Sequence, residues 1–203
     1  MIYSQNNEQQ LIADYFKSNI GAFLEVGSNN GITLSNCYQL ALEGWSGLCV
    51  EPSPKVWNEL LKNHLEHPKV QCLNVAIGEE NNMATFYDSG TLLKSGDKAL
   101  VSTIKKEETT RWRESVQFEE TQVEVIDFAT MLELSDIKEF DLISIDAEGF
   151  DYKILKQIDL NKIGCKMLIV EWNGKDKELY KLYCESFGMK LNAENGENLI
   201  FII

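Results

Sequence analysis

"AFLEVGSNNGITLSNCYQL", residues 22–40 of a 203-residue chain, begins as an apolar run, breaks at a small polar turn and ends in a helix-like stretch. The run Ala22–Val26, closed by Gly27, reads as a buried strand. The turn Gly27-Ser28-Asn29-Asn30-Gly31 fits either a plain β–α connection or a binding loop. Glu25 is an acidic residue inside the strand. Gly27 and Gly31 permit positive φ and close approach of a ligand to the backbone. The helix that follows offers N–H groups able to hold a carboxylate or phosphate.

The same alternation recurs outward from this stretch. Strand-like runs stand at 47–51, 70–78, 140–149 and 166–172, with helical stretches after the first, second, fourth and fifth strands. In "PSPKVWNELLKNHLEH", Val56, Leu60, Leu61 and Leu65 recur at helical spacing. Residues 83–88 and 121–128 read as extended segments around a long polar stretch. Alternating strands and helices imply a parallel sheet covered on both faces. The chain then ends in "MKLNA", the turn "ENGEN" and "LIFII", two strands that a short Asn-Gly turn makes antiparallel. The expected fold is α/β, a mostly parallel sheet closing in an antiparallel hairpin. One domain is expected over 1–203, with an N-terminal helix in 1–20 and a substrate-side insertion or lid in 89–120.

Composition narrows the partners. Hydrophobic residues make up 44% of the chain and charged residues 25%, enough for one packed core. A net charge of −13 argues against nucleic acid and against an anionic membrane surface. The partner expected is a small-molecule or glycan acceptor. Five cysteines at wide spacing, without a CxxC, read as buried free thiols in a reducing compartment. His64 and His67 are the two histidines, so a zinc site is not expected, and both read as solvated at a helix end. There is neither a secretory pattern at the N-terminus nor an apolar stretch of the ~20 residues that cross a bilayer. The reading is a soluble cytoplasmic protein.

Ligands in open α/β sheets sit beyond the carboxyl ends of the strands. Those ends carry Gly27 to Gly31, then Glu51, Asn74 to Ala76, Asp146-Ala147-Glu148-Gly149, and Glu171 with Asn173. Glu51 follows Gly31 by 20 residues, the spacing at which an acidic residue takes ribose hydroxyls. A nucleoside-containing cofactor follows from this. The loop is Gly-x-x-x-Gly rather than the dinucleotide GxGxxG, and Glu25 is unfavourable for a pyrophosphate. S-adenosylmethionine, which has no phosphate and carries a positive sulfonium, suits the site better.

The blocks "YSQNNEQ", "FLEVGSNNG", "SNCYQLALEGWSGLCVEPSP", "LNVAIG", "VEVIDFATML", "FDLISIDAEGFDYKILKQ" and "LIVEW" resemble, in order, those of the FkbM family of S-adenosylmethionine-dependent methyltransferases. The resemblance implies a Rossmann-like class I methyltransferase fold with a seven-stranded sheet, and O-methylation of sugar or polyketide hydroxyls. It implies that Glu25, Gly27, Ser28 and Gly31, with Asn29 in the same loop, frame the methionine end of the cofactor. Ser35 and Asn36 would contribute to that end. Glu51, followed by Pro52, would hold the ribose, and Asn74, Val75 and Ala76 would flank the adenine. Asp146 and Glu148 would face the methyl group and the acceptor. Gln5 and Glu8 would reach the site from the N-terminal helix, although their sequence context is that of surface residues. Two positions depart from the pattern. Asn30 stands where Asp is common, and "VIDFATML" keeps Asp127 but not a second Asp.

A sugar hydroxyl is a poor nucleophile near neutral pH and needs a base or a metal. With histidine set aside, the base candidates are Glu148 first and Asp146 second. Asp146 has an alternative role in binding the cofactor amine or capping the next helix. Asp146, Glu148 and Glu171 could form a hard-cation oxygen site, but no metal ligand is assigned and Mg²⁺ dependence is not favoured. Residues 94–113 hold Lys94, Lys98, Lys105, Lys106, Arg111 and Arg113. They form either a solvated loop or a lid that offers positive contact to an anionic acceptor, with Trp112 placed to stack on a sugar ring. The competing functions are an NAD-dependent nucleotide-sugar oxidoreductase or epimerase, and a cofactor-binding module without activity.

Overall fold

A computed structural model describes residues 1–92 and 97–203. Seven strands form the main sheet: β1 (Ala22–Val26), β2 (Ser46–Val50), β3 (Val70–Leu73), β7 (Leu142–Ile145), β8 (Met167–Glu171), β9 (Lys190–Glu194) and β10 (Asn198–Ile202). Their order is β3-β2-β1-β7-β8-β10-β9. The first five run parallel, and β10 lies antiparallel between β8 and β9. The expected closing hairpin is therefore present, with its second strand inserted next to β8.

Strand alternation sorts the core onto two faces. On one, Leu24, Val26, Leu48, Val50, Ile143 and Ile145 pack under the helices α5 (Phe128–Leu134), α6 (Asp151–Leu155) and α7 (Lys177–Ser186). On the other, Phe23, Cys49, Leu142 and Ile169 pack under α1 (Glu8–Phe16), α2 (Tyr38–Leu42) and α3 (Trp57–Asn63). Glu25 stands two residues after Phe23 in β1 and so shares this second face, which accounts for its burial. Four of the five cysteines are buried and all are free. No described helix is long and apolar enough to cross a membrane.

The run 70–78 is not one strand. It breaks at Asn74 and Val75, and β4 (Ala76–Ile77) leaves the main sheet to pair with β6 (Phe118–Ile126). The Asn74 Nδ2 donates to the Glu51 carbonyl at 2.7 Å, which pins the chain where it changes sheets. β6 also pairs antiparallel with β5 (Asn82–Ser89), giving a second sheet β4-β6-β5. Residues 121–128 are thus partly strand and partly the start of α5, whose N-terminus Asp127 caps by accepting from Thr130 N at 2.7 Å. Between β5 and β6 the chain forms a 3₁₀ turn (Lys106–Glu108) and the short helix α4 (Thr109–Trp112). Lys94 lies outside the described residues.

The N-terminal helix α1 occupies Glu8–Phe16 within 1–20, and Glu8 is not a surface residue. It is fully buried, and its carboxylate accepts from Asn195 Nδ2 at 2.7 Å, Asn198 Nδ2 at 2.9 Å and Asn6 N at 2.9 Å. Burial raises its pKa, but these hydrogen bonds outweigh that and leave it lowered. Glu8 thus ties α1 to the β9–β10 turn. His64 also departs from the solvated reading. It is buried with its ring against Cys49 Sγ at 3.7 Å and His67 Nδ1 at 3.3 Å, and desolvation lowers its pKa to about 4.

Candidate active site

The register of the main sheet sets the site. Val26 pairs with Val50 and Ile145, Val50 with Leu73, and Ile145 with Val170. The next residue on each strand is Gly27, Glu51, Asn74, Asp146 and Glu171. These five therefore stand in one row along the carboxyl edge of the sheet. A cleft of about 220 Å³ opens over that row.

A side chain on either Gly27 or Gly31 would run into protein. A Cβ on Gly27, whose φ is +82°, would lie 1.8 Å from the Asp146 carbonyl oxygen. A Cβ on Gly31 would lie 2.7 Å from both His64 Nε2 and Leu60 Cδ1. Gly27 lets β1 and β7 end side by side. Gly31 lets the loop sit down on α3.

Glu25 replaces an external anion. Its carboxylate accepts from Ser35 Oγ at 2.9 and 3.0 Å, Asn36 N at 2.9 Å and Cys37 N at 3.2 Å. Ser35 Oγ in turn accepts from Tyr38 N at 2.9 Å. The amides at the start of α2, expected to be open to a ligand, are therefore committed to Glu25 and Ser35. Asn30 builds the same loop: its Oδ1 accepts from Ile32 N at 3.0 Å and Thr33 N at 2.8 Å. Those are acceptor roles that Asp would fill equally, so the departure at Asn30 leaves the turn intact.

Glu51 is held on both sides. Its Oε1 accepts from Ser53 N at 2.7 Å and its Oε2 from Asn29 N at 2.8 Å. Ser53 Oγ continues to the buried Asp88 at 2.9 Å, and Asp88 accepts from Ser102 Oγ at 3.1 Å. Asn29 Nδ2 donates to the Lys98 carbonyl at 2.8 Å. Residues 97–104 are thus joined to the carboxyl edge through two routes. A third is the 3.0 Å bond from Thr103 Oγ1 to the Glu148 carbonyl.

Glu25, Gly27, Ser28, Asn29, Ser35 and Asn36 all line the cleft. So do Glu51, Pro52, Val75 and Ala76, and on the far side Asp146 and Glu148. Gly31 and Asn74 do not, since the first packs on α3 and the second latches Glu51. Gln5 reaches the lining from the segment before α1. Of the described basic residues in 97–113, Arg111 alone lines the cleft, where it stacks on Trp112 at 4.8 Å. Among the described residues, the positive contact that a lid would offer an anionic acceptor comes down to Arg111. The lining carries Glu25, Glu51, Asp146, Glu148, Glu171 and Glu197 against that one guanidinium.

Desolvation pushes both Glu25 and Glu51 up to about 7, against the hydrogen bonds each accepts. Asp146 opens onto the cleft yet is deep in the molecule, and desolvation raises it to about 6. Glu148 and Glu171 are raised well above the carboxylate range by burial and by the charge of Asp146. Asp151, which sequence reasoning did not single out, organises this end. It accepts from Ala147 N at 2.7 Å and Gly149 N at 2.9 Å and so shapes the turn that carries Glu148. Its place five residues after Asp146 was the available signal. Asp88 had none, because its partners come from residues 53 and 102.

A stability prediction follows from Glu25 and Glu51. Their folded pKa lies near 7 against 4.5 in the unfolded chain, so the folded state binds more protons in between. Their contribution is full below about pH 4.5 and is lost as pH rises through 7, roughly 3 kcal/mol for each at full ionisation. The thermal midpoint of the free protein is expected to fall from pH 5 to pH 8. The double variant Glu25→Gln, Glu51→Gln should flatten that fall. An equal fall in both proteins would show that other groups cause it.

A mostly parallel sheet with this strand order, one antiparallel strand beside β8 and a carboxylate row under a cleft defines a Rossmann-like methyltransferase domain. The chain belongs to the FkbM methyltransferase family: the family model described as the methyltransferase FkbM domain matches residues 25–188. No curated protein matches the chain. Among solved structures, the METTL16 MTase domain is 12% identical with a TM-score of 0.52, covering 96% of this chain and 65% of that one. A protein of the NADB-Rossmann superfamily from Streptococcus agalactiae is 16% identical with a TM-score of 0.50, covering 100% and 70%. TrmK of M. capricolum, solved with S-adenosyl-homocysteine, is 11% identical with a TM-score of 0.50, covering 98% and 67%. At these identities the likeness is one of fold.

Proposed function

We propose that this protein is an S-adenosylmethionine-dependent O-methyltransferase acting on a hydroxyl of a sugar or other small molecule. The observation that carries the reading is the row Glu51, Asp146 and Glu171, with Glu148 beside it, opening on one cleft. The donor set fits the cofactor. Glu51 is fixed by two amides and keeps lone pairs for ribose hydroxyls. Pro52, Val75, Ala76, Ile77 and Phe86 supply an apolar slot for a base. The excess of carboxylates favours a cationic group, and a pyrophosphate would find the amides at the start of α2 already bonded.

The bound cofactor supplies an electrophilic methyl group. The chain's own part is to orient the acceptor oxygen toward that methyl, exclude water and take up the acceptor's proton. Residues 99–104 line the cleft and help to exclude water, and Glu148, in its ionised form, is the carboxylate assigned to the proton. The Trp112 ring and its Nε1, a buried donor without a partner, face the acceptor end and suit a hydroxylated ring.

The test is calorimetry with S-adenosylhomocysteine, followed by transfer of labelled methyl to a panel of sugars and small alcohols. Saturable cofactor binding and an alkali-stable methyl ether are expected. Label on nitrogen or as an alkali-labile ester would replace the O-methyl reading. Tight binding with no transfer to any acceptor would mark a binding module.

A further inference from the structure

We propose that Asp146, Glu148 and Glu171 together bind one divalent cation that takes oxygen ligands, at the acceptor end of the cleft. One carboxylate oxygen from each residue lies within 4.8 Å of the other two. Two oxygens across a cation with bonds of 2.3–2.6 Å are about 5 Å apart or less, so a single ion fits this spacing, with a slight contraction for Mg²⁺.

A second observation points to a ligand independently. Glu148 Oε2 and Glu171 Oε2 are both buried without a hydrogen-bond partner, on residues only 8% and 6% exposed. Buried acceptors in a folded protein are satisfied as a rule, and an orphan calls for a missing partner. Arg111 is close enough to act on Asp146 and Glu148 through its charge, but it forms an ion pair with neither. Among the described residues no ion pair reaches any of the three carboxylates, and Arg111 donates to Asn173 Oδ1 at 2.6 Å while stacked on Trp112. Asn173 reaches the Glu171 carboxylate, and a proton shared between Glu171 and Asp146 would join those two, but neither gives Glu148 Oε2 a partner. One cation satisfies all three side chains at once.

The ligands are also pre-set. Asp146 and Glu171 end adjacent strands of the row, and Asp151 and Thr103 fix the turn that carries Glu148. Asp146 faces the open cleft, which leaves coordination positions for water and for an acceptor hydroxyl. With one oxygen of each residue on the ion, the other oxygen of Glu148 remains for the acceptor's proton. The ion polarises that hydroxyl, so a weaker base suffices. This role, though not the binding itself, rests on the methyl-transfer reading above.

The test uses full-length protein stripped with EDTA and titrated with Mn²⁺, free ion being read by electron paramagnetic resonance, with no cofactor present. One saturable Mn²⁺ per chain, displaced by Mg²⁺, is expected. Asp146→Asn and Glu171→Gln should each weaken it at least tenfold, whereas Glu124→Gln, exposed on β6 outside the cleft lining, should leave it unchanged. Circular dichroism confirms the fold of each variant. Absence of a saturable site in the wild-type protein overturns the proposal, as does unchanged affinity in both folded variants. Calorimetry with S-adenosylhomocysteine on the same samples separates the two readings. Cofactor binding without Mn²⁺ binding removes the cation alone, and Mn²⁺ binding without cofactor binding removes the methyltransferase reading alone.

Discussion

Gly27→Ala will unfold at markedly lower denaturant and will not bind S-adenosylhomocysteine. The added methyl would lie 1.8 Å from the Asp146 carbonyl oxygen, which is backbone and cannot swing aside. Gly27 N donates to the Val50 carbonyl at 2.9 Å and Asp146 N to the Val26 carbonyl at 3.0 Å, so relief of the contact strains the ends of three central strands. The φ of +82° adds a penalty for any L side chain. Together these are worth about 3–5 kcal/mol, a large share of a typical domain's stability. Gly44→Ala is the matched control. Gly44 has φ +88° but open space around its Cβ position, so that variant should lose only about 1 kcal/mol. Urea titrations of the two variants measure the difference. Equal losses would mean that the contact relaxes and that Gly27 is needed for its dihedral alone.

Gly27 illustrates what the sequence carried and what it did not. The stretch 22–27 was legible as strand and turn because apolar residues and a glycine state that locally. The reason for the glycine was not, because the crowding atom sits 119 residues away, just beyond β7. Glu25 repeats the point. Its place inside the first strand was readable, but the partners on 35–37 that hold its carboxylate were not. The run 70–78 looks like one strand because nothing local marks the change of sheet. Asn74 acts on the carbonyl of Glu51, and β4 finds its partner only in β6. The polar sequence neighbours of His64 and Glu8 suggest exposure, yet in space His64 meets Cys49 and His67, and Glu8 meets Asn195 and Asn198. Alternation of strands and helices fixes where the carboxyl edge lies, and long-range register decides which side chains stand in the row.

Glu148→Gln will lose methyl transfer while keeping the fold and the cofactor. Glu148 stands three residues beyond β7 with φ 44°, on a turn held by Asp151 and by the Thr103 hydroxyl through its backbone carbonyl. None of those bonds uses the Glu148 carboxylate, whose Oε2 is buried without a partner. The fold therefore does not depend on the charge, and an amide of the same shape leaves the turn intact. What the amide cannot do is accept the acceptor's proton. Loss of a positioned general base costs a factor of about 10²–10⁴, and it should appear in kcat. Affinity for S-adenosylhomocysteine should stay within about threefold, because the groups assigned to ribose and base lie just after β2 and around the start of β4. Glu148→Asp, with a carboxylate one methylene short, should recover part of the rate, which a purely steric role would not produce. Asp146→Asn provides the contrast, since it stands in the row itself and should weaken cofactor binding along with turnover. Full activity in Glu148→Gln removes Glu148 as the base. Parallel loss of cofactor binding and turnover in that variant would move it from proton transfer to cofactor binding.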